Sequence, residues 1–153
     1  MTNQIESRSI SGAKQAFTKL VRQALKGHEV IVANAKNHES EAVSILATED
    51  FMYVLDSGYK FHVEIAEDED GFAIIAKEIG IFGYGLSFSE AKEDLLHNIE
   101  EYVKDYFGRN EFFKSIPQRR AHYPYLRRLA VCKSTHEMSE VVFECCNSHS
   151  TIS

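Results

Sequence analysis

The sequence has no long run of apolar residues and few cysteines. Its longest apolar stretches, such as residues 29–35 and 72–76, are far shorter than the roughly 18 residues that cross a bilayer. The first residues also lack the positive-then-apolar pattern of a signal peptide. Cys132, Cys145 and Cys146 are an odd number crowded into the last quarter of the chain, which gives no disulfide framework. These absences predict a cytoplasmic protein that binds no membrane.

Motifs for catalysis are also missing. Residues 80–85 are rich in glycine but lack the Gly-Lys-Ser/Thr ending of a phosphate-binding loop and the spacing of a dinucleotide-binding turn. There is no Gly-x-Ser-x-Gly nucleophile elbow. The seven histidines are dispersed, and none has a carboxylate or nucleophile at a spacing that indicates a dyad. The sequence therefore predicts no enzymatic activity, no catalytic residue and no cofactor.

Two groups of residues have side chains that can bind metal ions, but neither has the spacing of a known metal site. The carboxylates of residues 67–70 are hard oxygen ligands for Ca²⁺ or Mg²⁺, but they lack the spacing of an EF-hand loop. A hairpin tip whose charges keep a sheet edge soluble explains them as well. His136, Cys145, Cys146 and His149 do not have the Cys-x₂₋₄-Cys spacing of structural zinc sites. We predict no metal site.

The charge is unevenly distributed along the chain. The 153 residues are 44% apolar and 26% charged, as in a globular protein of one ordinary domain or two small ones. The net charge of −6 combines a basic beginning, an acidic middle and a basic end. Residues 1–36 have six Lys or Arg against two acids, residues 37–111 have five against eighteen, and residues 112–153 have six against three. Segments of opposite charge indicate different partners.

The first third of the chain has the pattern of a small β-α-β-β-α module, residues 1–57. Residues 2–8 form a candidate edge strand, and Ser9 or Ser11 can cap a following helix that ends at Gly27. Its apolar residues recur three and four apart: Ala13, Phe17, Leu20, Val21, Ala24 and Leu25. Residues 30–32 and 42–46 form a predicted hairpin, and Thr48 begins a helix that Ser57 and Gly58 end. A module of about 50 residues buries little by itself, so we expect a dimer.

This pattern resembles the N-terminal domain of the Phd/YefM antitoxin family. The matching segments are Ile10-Ser11-Gly12-Ala13-Lys14, residues 27–32, residues 42–46 and Glu49-Asp50-Phe51. The resemblance implies a homodimer that holds operator DNA with the start of the first helix and the hairpin loop. The candidate DNA-binding residues are Arg8, Lys14, Arg22 and Lys36. Lys14 stands where the family has Arg, so it retains the charge without the bidentate fork. Alternatively, the basic residues of the first helix form an ordinary solvent-exposed face that contacts no DNA.

The middle of the chain, residues 58–108, predicts a three-stranded meander followed by a long helix. Residues 59–65 alternate in polarity, residues 67–71 turn the chain into residues 72–76, and residues 80–85 turn it again. Ser87 and Glu90 form a capping box for a helix of about five turns. Residues 85–91 and Asp70-Gly71-Phe72 resemble the HicB-like antitoxin fold, although Ile79-Gly80 replaces the family's Pro-Gly pair.

Residues 109–153 form an extension rich in aromatics and paired arginines, with both prolines of the chain. Arg and Tyr are enriched at the energetic centres of protein interfaces. The candidate partner-binding residues are Phe112, Phe113, Arg119, Arg120, Tyr123, Tyr125, Arg127 and Arg128. The extension either wraps another surface, such as a toxin, or docks on its own chain as an ordinary C-terminal segment.

Together these patterns predict an α+β antitoxin of a toxin–antitoxin system. Its expected partners are a cognate toxin, such as an RNA-cleaving one, operator DNA and further copies of itself in a homodimer or higher oligomer. The acidic middle would cover the basic substrate surface of the toxin. The alternative is a non-catalytic oligomeric scaffold that binds a small ligand or a protein and no DNA.

Overall fold

The structure is a computed structural model that describes residues 6–34 and 41–146, in two compact units. The first unit extends to Val54 and the second begins at Leu55. Helices alternate with two small three-stranded sheets, which confirms the predicted α+β class. No helix within the described ranges has the length and hydropathy that a membrane span requires.

The first unit contains a β-sheet with helices before and after its hairpin. Its elements are β1 (Glu6–Ser9), α1 (Ile10–Gln15), α2 (Phe17–Leu25), β2 (Val30–Ala33), β3 (Ala42–Ile45) and α3 (Thr48–Gly58), which continues into the second unit. β1 lies parallel to β2 and β3 antiparallel to it, in the order β1-β2-β3. Ala13, Leu20, Val30 and Val32 form a small core. Residues 2–5 of the predicted first strand and residues 35–40 of the predicted loop lie outside the described residues.

The single helix predicted after Ser9 is wrong, because the chain bends at Ala16 and forms two helices. Ala16 has φ −107° and ψ 14°. Its N–H still donates to Gly12 O at 3.2 Å, and its carbonyl accepts from Leu20 N at 3.0 Å, so the bend retains hydrogen bonds on both sides. The two predicted ends are confirmed. Ser9 Oγ accepts from Gly12 N at 3.1 Å, and Gly27 follows α2 with a φ of 92°, where glycine is favoured.

The second unit begins with an antiparallel sheet in the order β4-β5-β6. Its strands are β4 (Val63–Asp68), β5 (Gly71–Ala76) and β6 (Ile81–Gly85), and α4 (Phe88–Gly108) follows. β4 begins later than residue 59, where the sequence placed it. Half of the predicted capping box forms: Ser87 Oγ accepts from Glu90 N at 3.2 Å, but the Glu90 carboxylate accepts from Leu86 N at 2.8 Å rather than from Ser87 N.

Two glycines bring α4 directly onto β6. A methyl group at Gly83 would lie 2.3 Å from Ala91 O and 2.3 Å from Leu95 N, and one at Gly85 would lie 2.4 Å from Ala91 N. Because side chains alternate across a strand, Gly83 and Gly85 face α4 whereas Phe82 and Tyr84 face away from it.

The extension folds into four helices against the same core as the sheet. They are α5 (Asn110–Lys114), α6 (Pro117–Arg120), α7 (Tyr123–Ala130) and α8 (Thr135–Val142). Side chains from α5, α7, α8 and the residue after α8 join those of the sheet and α4 in one buried cluster, which includes Phe61, Ile74, Leu95, Phe113, Leu126, Leu129, Val142 and Phe143. Residues 109–146 therefore complete the core of the second unit.

Candidate functional site

The predicted DNA-binding residues that the structure describes lie on three elements of the first unit. Arg8 is on β1 and is half-buried, whereas Lys14 in the last turn of α1 and Arg22 on α2 are exposed. Lys36 lies outside the described residues. The structure therefore places Lys14 and Arg22 on successive helices, at solvent-exposed positions from which a cation can reach a phosphate.

α2 has two exposed faces of different chemistry. Lys19, Arg22 and Lys26 are three and four residues apart and form a cationic face. Phe17, Val21 and Leu25 are four apart and form a second row, which we call the α2 apolar row. Its two end residues are 58% and 72% exposed. At about 3.6 residues per turn the centres of the two sets are roughly 130° apart around the helix, and Arg22 lies next to Leu25.

Phe17 and Leu25 belong to the apolar stripe predicted for this helix, but the structure leaves both side chains exposed. Only Leu20 and Ala24 of α2 are buried. The signal was present in the sequence, because Phe17, Val21 and Leu25 widen the apolar stripe beyond what a single packed face requires. Val43, Tyr53 and Val54 of the same unit are also exposed, at 63%, 75% and 59%. Exposed apolar side chains of this size commonly mark an interaction surface.

The predicted partner-binding residues divide between surface and core. Phe112 is 55% exposed, and Arg119 and Arg120 are exposed on α6. Tyr123, Tyr125 and Arg127 are half-buried on α7. Phe113 and Arg128 are buried in the second unit, at 7% and 4% exposure.

Arg128 is at the centre of a charged network. Its Nε donates to Asp56 Oδ1 at 2.7 Å, and its Nη1 donates to Tyr59 O at 2.7 Å. Nη1 and Nη2 also donate to the two oxygens of Glu144 at 2.7 and 2.9 Å. Burial disfavours the charged guanidinium, but the hydrogen bonds that it donates to Glu144 and Asp56 outweigh this effect and raise the pKa of Arg128. The network fixes α7 to the segment that precedes β4.

A second polar contact lies among the aromatic residues of the extension. Tyr102 Oη is 2.7 Å from His122 Nδ1, and Arg119 Nη1 donates to the same hydroxyl at 3.2 Å. Burial, together with the nearby Arg119 charge, lowers the pKa of His122. His122 is therefore neutral at pH 7, and this contact holds α6 and α7 against α4.

The open face of the second sheet is a feature that the sequence analysis missed. We define it by the residues that point away from α4: Glu64, Ala66, Ala73, Ile75, Phe82 and Tyr84. The rings of Phe82 and Tyr84 stack at 6.2 Å between centroids and are 45% and 62% exposed. The signal in the sequence was that residues 72–76 are apolar at both alternating sets of positions, so that both faces of β5 are apolar.

Two depressions lie on this part of the sheet. One of about 410 Å³ is near the β4–β5 turn and is lined by Asp68, Asp70, Tyr84 and Leu86 among others. The other, of about 280 Å³, is lined by Glu64, Ile65, Ala66, Ala73, Ile74, Ile75 and Phe82. Each combines apolar walls with at least one carboxylate.

An acidic residue at the end of β4 stabilises the turn between β4 and β5. Asp68 Oδ1 accepts from Asp70 N at 2.9 Å and Gly71 N at 3.1 Å, which is an Asx turn. Among the described residues no His, Cys, Asp or Glu side chains gather in a group that could hold a metal.

Cys132, Cys145 and Cys146 are thiols that are not joined in disulfide bonds. Burial raises the pKa of the thiols of Cys132 and Cys145, which favours the unreactive protonated form.

Comparison with known proteins identifies the family. A family model described as PHD_like, antitoxin of toxin–antitoxin, RelE/RelB, matches residues 2–144. No curated protein matches the chain. The crystal structure of the antitoxin part of a proposed toxin/antitoxin system from Syntrophomonas wolfei subsp. wolfei has the same fold, with a TM-score of 0.74 at 16% identity. That match covers 89% of this chain and 95% of the other. The chain belongs to the PHD_like family of antitoxins of toxin–antitoxin systems.

Proposed function

We propose that this antitoxin binds and neutralises a cognate toxin through its second unit and represses its own operon by binding operator DNA through its first. The first unit acts as a Phd/YefM-like homodimer, and the sheet with α4 acts as a HicB-like module. The observation that carries the proposal is the arrangement of α2, which exposes a cationic face and a separate apolar row on the same helix. Family membership supplies the toxin as the partner.

The two faces of α2 suit a dimer that holds DNA. Pairing through the α2 apolar row would bury Phe17 and Leu25, which a unit with so small a core leaves exposed. Lys19, Arg22 and Lys26 would then remain on the outside, with Lys14 nearby on α1. Two copies related by a two-fold axis present such cations to two stretches of phosphate backbone.

The second unit suits a basic protein partner. Residues 37–111 have thirteen more acidic than basic residues, and the second sheet lies within this stretch. Exposed Phe112, Arg119 and Arg120 of the extension add the residue types that anchor interfaces. An acidic surface of this kind speeds association with a cationic partner such as an RNA-cleaving toxin and excludes like-charged ones.

A gel shift with the promoter fragment upstream of the chain's own operon tests the DNA half. The wild type binds with an affinity that falls steeply with salt, since each phosphate contact contributes about 0.9 to the logarithmic slope. A Lys14→Ala/Arg22→Ala variant has a shallower slope, by up to about four in a dimer. Lys104→Ala is the control, because Lys104 lies on α4 and pairs with Glu100 and Glu101 at 3.2 Å each. Equal slopes for both variants would contradict the proposal.

Co-purification with the product of the neighbouring reading frame tests the toxin half. We expect a stable complex and rescue of growth when the two proteins are expressed together. If no complex forms and no salt-sensitive DNA binding occurs, the second candidate function remains, a scaffold for a ligand or another protein. The exposed open face of the second sheet is the observation that favours that candidate.

A further inference from the structure

The two edges of the second sheet differ, and the β6 edge is closed. Tyr84 N–H donates to Asp94 Oδ2 at 2.9 Å, and Leu86 N–H donates to Glu90 Oε2 at 2.8 Å. Asn98 Nδ2 donates to Phe82 O at 2.9 Å. Side chains of α4 thus occupy Tyr84 N–H and Phe82 C=O on the outer edge of β6, and the N–H of Leu86 just after it. A strand edge occupied in this way is a poor site for another strand.

The opposite edge, β4, is open. Lys77 N–H donates to His62 O at 3.1 Å, so these two residues form a hydrogen-bonded pair. In an antiparallel sheet such pairs alternate with pairs that are not hydrogen-bonded. Residues 64, 66 and 68 therefore exchange hydrogen bonds with β5, whereas the N–H and C=O groups of Val63, Ile65 and Glu67 point outward. Within the described ranges, β5 is the one strand that pairs with β4.

The side chains along this edge identify the kind of strand that fits. Glu64, Ala66 and Glu67 are exposed, and Ile65 is 49% exposed. Between Lys60 and Lys77 the chain has five carboxylates and no Lys or Arg. Pairing β4 with β4 of a second copy would bring two acidic strands together, and like charges on neighbouring strands are destabilising. A strand that carries Lys or Arg would gain from the same charges.

We propose that β4 is the docking edge for the toxin, and that a basic strand of the toxin adds to the sheet there. This inference rests on the proposed function. The added strand makes main-chain hydrogen bonds with Val63, Ile65 and Glu67, and its cations pair with Glu64 and Glu67. The exposed contact of Lys77 with Glu64, at 3.7 Å, is weak and is exchanged for the new pair.

The depression beside β4 supplies specificity to this edge. Its volume is about 280 Å³, and Glu64, Ile65 and Ala66 form its β4 wall. Alternate side chains of an added strand point to the same face as Glu64 and Ala66 and would enter this space. An aliphatic side chain fits, since it can contact Ile75 and the Phe82 ring. An Arg side chain can make the same contacts while its charge reaches Glu64.

A proline at position 65 tests the main-chain bonds. Ile65→Pro removes an N–H that points outward and no hydrogen bond to β5, and proline is tolerated on edge strands in this orientation. Ile65→Ala is the matched control, because it removes the same side chain and retains the N–H. With the co-expressed neighbouring protein as the probe, we expect Ile65→Pro to bind at least about tenfold more weakly than Ile65→Ala. Equal affinities in the two folded variants would overturn the proposal.

Hydrogen exchange of the wild-type complex gives a readout that needs no variant. The amides of Val63, Ile65 and Glu67 are expected to become protected when the partner binds. Protection confined to residues 109–146 would overturn the inference while leaving toxin binding intact. If the wild type binds no neighbouring protein at all, the proposed function fails instead. Self-association of the free chain that Ile65→Pro abolishes would show that a second copy occupies the edge, which also overturns the inference.

Discussion

Arg128 and Glu144 are joined at two points inside the second unit, by hydrogen bonds of 2.7 and 2.9 Å from the two terminal guanidinium nitrogens. Their side chains are 4% and 19% exposed. The same carboxylate accepts from Phe61 N at 3.0 Å. The pair therefore connects α7 and the residues after α8 to the start of the sheet.

Removal of Glu144 should strongly destabilise the protein. In Glu144→Ala the buried Arg128 guanidinium retains only Asp56 and the Tyr59 carbonyl as partners. Removal of one partner of a buried ion pair typically lowers the free energy of unfolding by about 3 kcal/mol. Glu140→Ala is the control, because its carboxylate is exposed and 3.5 Å from the exposed His136. We expect the control to change the free energy of unfolding by less than about 1 kcal/mol. Urea denaturation measures both.

The contribution of Glu144 should depend on pH in a defined direction. Burial works against its charge, but hydrogen bonds from Arg128 and Phe61 N–H outweigh it and lower its pKa below the usual 4.5. A lowered pKa stabilises the folded state above the unfolded value, and this stability is lost as the pH falls through the folded value. The difference in unfolding free energy between wild type and Glu144→Gln should be constant near neutral pH and shrink below about pH 4.5. A difference that grows in acid would contradict this.

A methyl group at Gly83 should disrupt the contact between β6 and α4. The added carbon would lie 2.3 Å from two backbone atoms of α4, so helix and strand must separate. We expect Gly83→Ala to lower the unfolding free energy by about 3 kcal/mol. In Gly108→Ala nothing lies within 4 Å of the new methyl, and the change should be neutral or slightly stabilising. Thermal unfolding of the two variants distinguishes these outcomes.

A charge in the α2 apolar row should dissociate the proposed dimer. Leu25→Glu places a carboxylate at a position that is 72% exposed in the single chain, so the fold of the chain itself should tolerate it. We expect the sedimentation coefficient to fall to that of a monomer. Lys19→Glu, at an exposed position on the cationic face, should leave the oligomer intact. A wild type that sediments as a monomer would remove the dimer from the proposal.

Local signals in the sequence predicted many element ends. Ser9 and Ser87 accept the expected hydrogen bonds at the starts of α1 and α4, because a cap depends on only a few neighbouring residues. Gly27 has the expected positive φ. The predicted turn between strands forms at residues 69–70, whereas residues 67 and 68 of the acidic segment belong to β4. The family resemblance placed the chain among antitoxins, which the family match confirms.

Local signals in the sequence could not predict contacts between segments that are distant in the chain. Arg127 and Arg128 are adjacent and chemically identical, and the sequence could not show that Arg128 is the one buried against Glu144 and Asp56, which are far from it in the chain. Apolar spacing identified Phe17 and Leu25 as members of a helix stripe but could not show that the sheet covers only Leu20 and Ala24.

The sequence by itself determined the helix starts at Ser9 and Ser87, the turns, the charge segregation and the family, because each depends on neighbouring residues or on composition. Only the tertiary structure decided which surfaces remain open. A period of two shows which residues of β4, β5 and β6 share a face, but α4 decides which face is covered, through the close contact at Gly83 and Gly85. The same helix closes the β6 edge with Asp94 and Asn98 and leaves β4 as the open edge of the sheet.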